Sequence, residues 1–418
     1  MSRVLPFLAV IAAIAVGSFR SAVSEAADTT PAPKITWKKT VLDRKFRSEG
    51  VAVADVNKDG KIDVLNGEYW YEAPDWTPHE LQPFMDHKDG LHNYSRVFFC
   101  WCEDLNGDTY PDLIVIDFPG APAYWMENPG KALNTSGQQH WKKHPIWHSA
   151  CNETPAYADL LGNGKRVLVM GYQPEGQKTD GNEGRMAYFT PDPKDPHAKW
   201  IAHAISDPDK PGAPGTNRFS HGLGVGDLNG DGKNDVICTN GWWEQPAQLD
   251  PKTGWTFHPA PLGPDCADMF VFDVDGDGRN DLLSTSAHRF GIWYHHNGLD
   301  QKTKEAQWST TTLFGMLASE THAAHFVDID GDGLKDLVTG KRWWSHGRNE
   351  PGHGWNANIY YLKATKNEDK ITSFFPVLID DDCGVGTQFA VDDINGDKLP
   401  DIIVSNKKGV RILVQERK

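Results

Sequence analysis

Residues 272–282 read Phe272-Asp273-Val274-Asp275-Gly276-Asp277-Gly278-Arg279-Asn280-Asp281-Leu282. The frame Asp-x-Asn/Asp-x-Asp-Gly-x-x-Asp returns along the chain, each time running into an apolar stretch. Oxygen ligands at loop positions 1, 3, 5 and 9 surround a hard cation by spacing alone, and glycine at position 6 permits the sharp turn between them. Calcium ligands are therefore expected in six loops. These hold Asp55, Asn57, Asp59 and Asp63; Asp104, Asn106, Asp108 and Asp112; and Asp227, Asn229, Asp231 and Asp235. The others hold Asp273, Asp275, Asp277 and Asp281; Asp328, Asp330, Asp332 and Asp336; and Asp393, Asn395, Asp397 and Asp401. Thr109 and Lys398 replace the glycine in two loops, which are expected to bind more weakly. A worn copy begins at Asp159, where Leu161 and Val167 replace ligands, and is expected to bind no calcium. An EF-hand would need a later glutamate and flanking helices. Here the loop is followed by strand residues such as Leu282-Leu283-Ser284-Thr285, so that reading fails.

Successive loops start 46 to 68 residues apart, the period of a propeller blade rather than of a solenoid. Around Asp227 one full unit is visible. His221-Gly222-Leu223-Gly224-Val225-Gly226 is a short inner strand of small residues, and Val236-Ile237-Cys238 follows the loop as a second strand. Gly241-Trp242-Trp243-Glu244 begins a third and Trp255-Thr256-Phe257-His258 a fourth, which makes a blade. Related third strands occur at Trp70-Tyr71-Glu72, Trp125-Met126-Glu127, Trp293-Tyr294 and Trp343-Trp344. Their aromatic side chains are expected to fill the wedges between blades. The last copy lacks an outer strand, and the segment Ile35 to Leu42 supplies one. The expected fold is all-β, a seven-bladed propeller of four-stranded blades over residues 35–418. It is closed by pairing of the N-terminal strand with the C-terminal blade, which would remove the free sheet edges.

Composition narrows the function classes. The net charge is −15 with no basic patch, which argues against a nucleic-acid partner. Residues 1–27 carry Arg3, the apolar run Val4 to Val16 and small residues ending at Ala26 and Ala27. This run is too short to span a bilayer and suits signal cleavage, so a secreted or periplasmic protein with no membrane span is expected. Six cysteines permit disulfides or serve as buried small apolar residues; both readings stay open.

The calcium loops occupy one end of the inner strands. At the other end stand Glu49, Ser95, Glu153, His221, Asp268, Glu320, His322, His325, Thr387 and Gln388, which a ring would bring toward its axis. Two histidines, a carboxylate and an open position make a zinc site that polarises a carbonyl or activates water. The expected set is His221 and His322 with Glu153 or Asp268. No Gly-x-Ser-x-Gly, His-Glu-x-x-His, phosphate loop or Cys-x-x-Cys occurs.

The unit of inner strand, acidic loop and apolar strand resembles the FG-GAP/VCBS repeat, with residues 272–282 as a close match. That resemblance implies a propeller and bound calcium over nearly everything after residue 34. The Trp-Tyr/Trp-Glu-x-Pro third strands, with Ser220-His221-Gly222 and Glu320-Thr321-His322, are also similar to the propeller domain of the aldos-2-ulose dehydratase family. This narrower resemblance implies a zinc ion in a propeller cleft and elimination of water from a keto-sugar. The chain lacks the cupin and lectin-like parts that follow there. Two functions are thus carried forward. One is a metal-dependent lyase or dehydratase acting on a keto-sugar or other carbohydrate, with His325 or Glu320 taking the proton. The other is a non-catalytic propeller that binds glycan, another small molecule or protein at its mouth.

Overall fold

The computed structural model describes residues 34–88, 90–134, 140–178, 184–263, 266–303 and 306–418; the signal segment expected at 1–27 lies outside them. The described chain forms five separate four-stranded sheets and one sheet of eight strands. Every sheet is built from antiparallel meanders in which a short inner strand, an acidic loop and a buried second strand come first. In the second unit these are Phe99–Glu103, Asp112–Ile116, Ala123–Glu127 and Lys142–Trp147. The eight-stranded sheet is two such meanders joined at their inner strands, Leu223–Gly226 and Cys266–Phe272, by one parallel pairing of Leu223 with Asp268. Seven separate blades are therefore not what the sheets show.

The cause of the joined sheet lies in two glycines. A Cβ on Gly224 would fall 2.5 Å from the Met269 carbonyl oxygen, and one on Gly226 would fall 2.7 Å from the Val271 side chain. Only a strand without side chains there lets its neighbour approach to pairing distance.

The N-terminal strand Ile35–Asp43 pairs antiparallel with Gly409–Arg417, from Ile35 opposite Arg417 to Asp43 opposite Val410. Inner strands of the first and last sheets also pack together, and Val51, Val64 and Tyr71 share one core with Ile394, Ile403 and Ile412. Asn66 Nδ2 donates to Ser405 Oγ at 2.7 Å across the same seam.

Second strands are buried on both faces, as Leu113-Ile114-Val115-Ile116 illustrates, so their apolar runs need no alternation. Between sheets the tryptophans do fill the wedges: Trp125, Trp147 and Trp200 share one core, while Trp243 and Trp255 share another. Burial of such rings is the largest apolar term available per residue. Polar clips add register. Gln245 Nε2 donates to the carbonyls of Leu160 and Asn234, both at 2.8 Å, and Gln415 Nε2 donates to those of Ile329 and Pro400 at 2.9 and 3.1 Å.

Several histidines belong to the scaffold. Trp70 stacks on His79, Trp125 on His144 and Trp242 on His258, each pair directly opposite across third and outer strands. The glutamate two residues along, Glu72, Glu127 or Glu244, bonds that histidine at 2.7–2.8 Å. No disulfide joins the six cysteines, and all but Cys102 are buried as small apolar side chains. Among the described residues no helix is long and apolar enough to cross a membrane.

Candidate functional site

The acidic loops share one hydrogen-bonding plan. In the loop at Asp227, Oδ1 accepts from the N–H groups of Gly230 and Asp231 at 2.8 and 3.0 Å, and Oδ2 accepts from Gly232 at 2.9 Å. The ninth-position aspartate is a clamp. Asp235 accepts from the Leu228 N–H through one oxygen and from the Gln245 N–H through the other, at 2.9 and 3.0 Å, and is fully buried. Asp63, Asp112, Asp281, Asp336 and Asp401 are buried in the same way. Burial raises their carboxyls against those N–H bonds, Asp112 to about 7 and Asp63, Asp235, Asp336 and Asp401 to about 6. A divalent cation fits this donor set, since it would supply the charge that burial withholds. In the loop at Asp273, oxygens of Asp273, Asp275 and Asp277 already lie within 4.8 Å of one another.

Thr109 and Lys398 adopt the left-handed backbone of the glycine they replace, with φ of 77° and 67°. The worn copy keeps its turn without the ligands, because Asp159 still accepts from Asn163 and Gly164 at 3.0 and 2.8 Å. The turn itself therefore does not require a metal.

At the opposite end, Glu153, His221 and His322 converge. Glu153 sits where the pairing of Ala150–Ala158 breaks between Cys151 and Ala156, beside Asn152 in the left-handed region at φ 68°. His221 precedes Gly222 (φ 85°), where a Cβ would lie 2.4 Å from Thr239 Cγ2, so only glycine turns the chain there. Glu153 Oε2 lies 3.2 Å from His221 Nε2 and 3.6 Å from His322 Nε2. Ligand atoms around a tetrahedral zinc at 2.0–2.2 Å sit roughly 3.3–3.6 Å apart, so these spacings match. His322 is fully buried, and neither ring nitrogen has a hydrogen-bond partner. Arg342 is buried beside it, with Nη1 3.8 Å from Glu153 Oε2 and Nε unpartnered.

Electrostatics put Glu153 and His322 in their ligating forms. Burial would raise the Glu153 carboxyl, but His221, His322 and Arg342 outweigh it and hold the group well below the usual carboxylate range. Burial, reinforced by Arg342, pushes His322 down to about 3. A neutral imidazole and an ionised carboxylate are what a metal needs.

The structure separates the other expected residues from this cluster. Asp268 lies one layer deeper, opposite Leu223, where it accepts from the Ala324 N–H at 2.7 Å. With His325 it lines a channel cavity of about 270 Å³. Glu153, and not Asp268, therefore stands with the two histidines. His325 Nε2 is bonded to the Phe389 carbonyl at 2.8 Å, in that same deeper layer. Glu320 has both oxygens engaged, Oε1 with Lys341 Nζ at 2.6 Å and Oε2 with the N–H and Oγ of Ser345 at 3.0 and 2.6 Å. Neither is placed to take a proton at the cluster. Glu320 instead positions it, since its carbonyl accepts from the Arg342 N–H at 2.8 Å.

Three further residues complete the mouth. His288 comes from the turn between Asp281–Ser286 and Phe290–Leu299, and His346 and Glu350 from the segment after Ser345. Ring centroids of His221 and His288 are 4.5 Å apart, and those of His288 and His346 are 4.6 Å apart. Burial, with His221, His322 and Arg342 nearby, pushes His288 down to about 2. The signal for these residues was topological: turns between second and third strands reach the same mouth as the beginnings of the inner strands.

Residues 273–339 match an FG-GAP-like repeat and residues 219–247 match an FG-GAP repeat. The chain carries FG-GAP repeats in a β-propeller arrangement of four-stranded blades. No curated protein matches it, and the narrower likeness to aldos-2-ulose dehydratase finds no support. Among solved structures it is similar to a chain of the Photorhabdus luminescens Tc holotoxin pore, at 16% identity and a TM-score of 0.36. That match covers 85% of this chain and 16% of the other, and carries no functional argument.

Proposed function

We propose that this protein is an exported, calcium-stabilised propeller in which seven four-stranded units close a single ring. On this reading its mouth is a metal-dependent lyase or dehydratase site for a keto-sugar. The joined sheet counts as two blades, and the seam between Gly409–Arg417 and Ile35–Asp43 supports closure. The acidic loops would hold calcium, and Glu153, His221 and His322 would hold zinc, which a set of two imidazoles and one carboxylate suits. Bound there, zinc supplies Lewis acidity toward a carbonyl oxygen.

One observation carries the reading: a fully buried His322 with two unpartnered nitrogens faces Glu153 and His221. An imidazole in that state costs stability unless something binds it. Arg342 stands ready to donate to an oxygen of the substrate, and Glu320 with Lys341 fixes its backbone.

The binding-module reading draws on exposed aromatic rings on the long segments, Phe219 at 50% and Trp355 at 40% exposure. Such rings offer stacking faces to a glycan. The two readings part on one experiment. Protein purified in excess calcium should retain zinc and form an enone from a 2-keto-aldose, followed by its ultraviolet absorbance. His221→Ala with His322→Ala should lose both. Zinc-free wild-type protein that still binds glycan would leave only the binding module.

A further inference from the structure

The mouth holds a second ligand set that the first does not use. Oε1 of Glu350 is hydrogen-bonded to His346 Nδ1 and lies 3.7 Å from His288 Nδ1. These three residues bring one ligand atom each within 4.8 Å of the others. Nδ1 of His288 is buried and has no hydrogen-bond partner, although it faces that carboxylate. The segment is fixed rather than trailing: the His346 N–H donates to Tyr94 Oη at 3.2 Å, and the His346 carbonyl accepts from the N–H and Nδ2 of Asn349 at 3.2 and 2.7 Å.

We propose that His288, His346 and Glu350 form a second transition-metal site, so that the mouth holds two divalent ions side by side. The pairing of ions rests on the Glu153–His221–His322 reading above; the second site by itself does not. A bland account makes His346 and Glu350 a surface ion pair four residues apart. That account leaves His288 unexplained, since its buried nitrogen points at a carboxylate already engaged elsewhere. Contact between the sets runs through His221 and His288, whose ring centroids are 4.5 Å apart. Two imidazoles and one carboxylate suit zinc or cobalt, as in the first set. A mouth with two such ions favours a substrate offering two neighbouring oxygens, as a hydroxyketone does.

Cobalt(II) titration in millimolar calcium tests the proposal through the visible d–d bands, which calcium in the acidic loops does not produce. The protein would carry His197→Ala and His296→Ala, which remove one histidine from each of two separate groupings, Glu127 with His144 and His197, and Asp275 with Asp281 and His296. Two equivalents are expected. His346→Ala with Glu350→Gln should reduce two to one, at an unchanged Tm, and His322→Ala should separately remove the other. If one equivalent binds and only His322→Ala abolishes it, the second site is wrong and the first stands. If only the His346/Glu350 variant abolishes it, the second site stands and the first falls. No binding at all overturns both.

Discussion

At one end of the inner strands the same acidic turn is written six times over; at the other, Glu153, His221 and His322 each come from a different unit and share no motif. The rim is held by short-range bonds, as when Asp227 accepts from residues three to five positions on. The mouth is held by contacts between distant segments, such as Glu153 with His221, 68 residues apart in sequence. On the proposed reading, repetition serves stability at the rim. Divergence at the mouth leaves room for chemistry, which is where a repeat scaffold places it.

The largest expected effect separates the two ends by the metals proposed for them. Removing calcium with EGTA should lower Tm by on the order of 10 °C or more, because each site filled at 100 times its Kd adds about 2.7 kcal/mol to the folded state. A zinc-selective chelator that leaves calcium bound should shift Tm far less. Calorimetry on the two treated samples decides the matter, and equal shifts would erase the distinction between rim and mouth.

Ion pairs sharpen the contrast next. Lys341 and Glu320 are both fully buried beneath the mouth, with Nζ 2.6 Å from Oε1. Lys341→Met strands the Glu320 charge and should cost about 3–5 kcal/mol in urea denaturation. The rim pair of Lys61 with Asp59 has the same 2.6 Å separation but lies in solvent. Lys61→Met should leave the urea midpoint unmoved. A comparable loss in both variants would mean that burial is not what distinguishes them.

What could be read from the sequence follows the same division. The loop at residues 272–282 announces the unit, and the period of its copies places the strands, because local hydrogen bonds impose a fixed spacing. His221 and His322 were visible because they stand at equivalent positions just before inner strands. His288, Arg342, His346 and Glu350 were not, since nothing local marks a turn or an insertion as facing the axis. Glu320 and His325 misled for a related reason. Adjacency to a ligand in sequence does not carry over to space, since Glu320 turns to Lys341 and His325 points down the channel to Phe389. The eight-stranded sheet escaped notice because it depends on how closely Gly224 approaches Met269, a distance that no pattern encodes.

The smallest expected effect lies within the rim. Thr109 and Lys398 hold a left-handed backbone at φ 77° and 67° while making the bond that glycine makes elsewhere, their N–H groups donating to Asp104 and Asp393 at 2.9 and 2.7 Å. The hydrogen bond is thus equal and only the backbone cost differs. Thr109→Gly and Lys398→Gly should each stabilise by about 1 kcal/mol, with threonine gaining more because its branched Cβ tolerates positive φ least. The reverse change gives the control. At Gly232 (φ 86°) an added Cβ meets nothing within 4 Å, so Gly232→Ala should lose a similar amount through backbone strain alone. Calcium-saturated melts isolate this term from metal affinity. If neither glycine variant is stabilised while Gly232→Ala is destabilised, the two glycine-free loops must relax in a way that the shared turn does not.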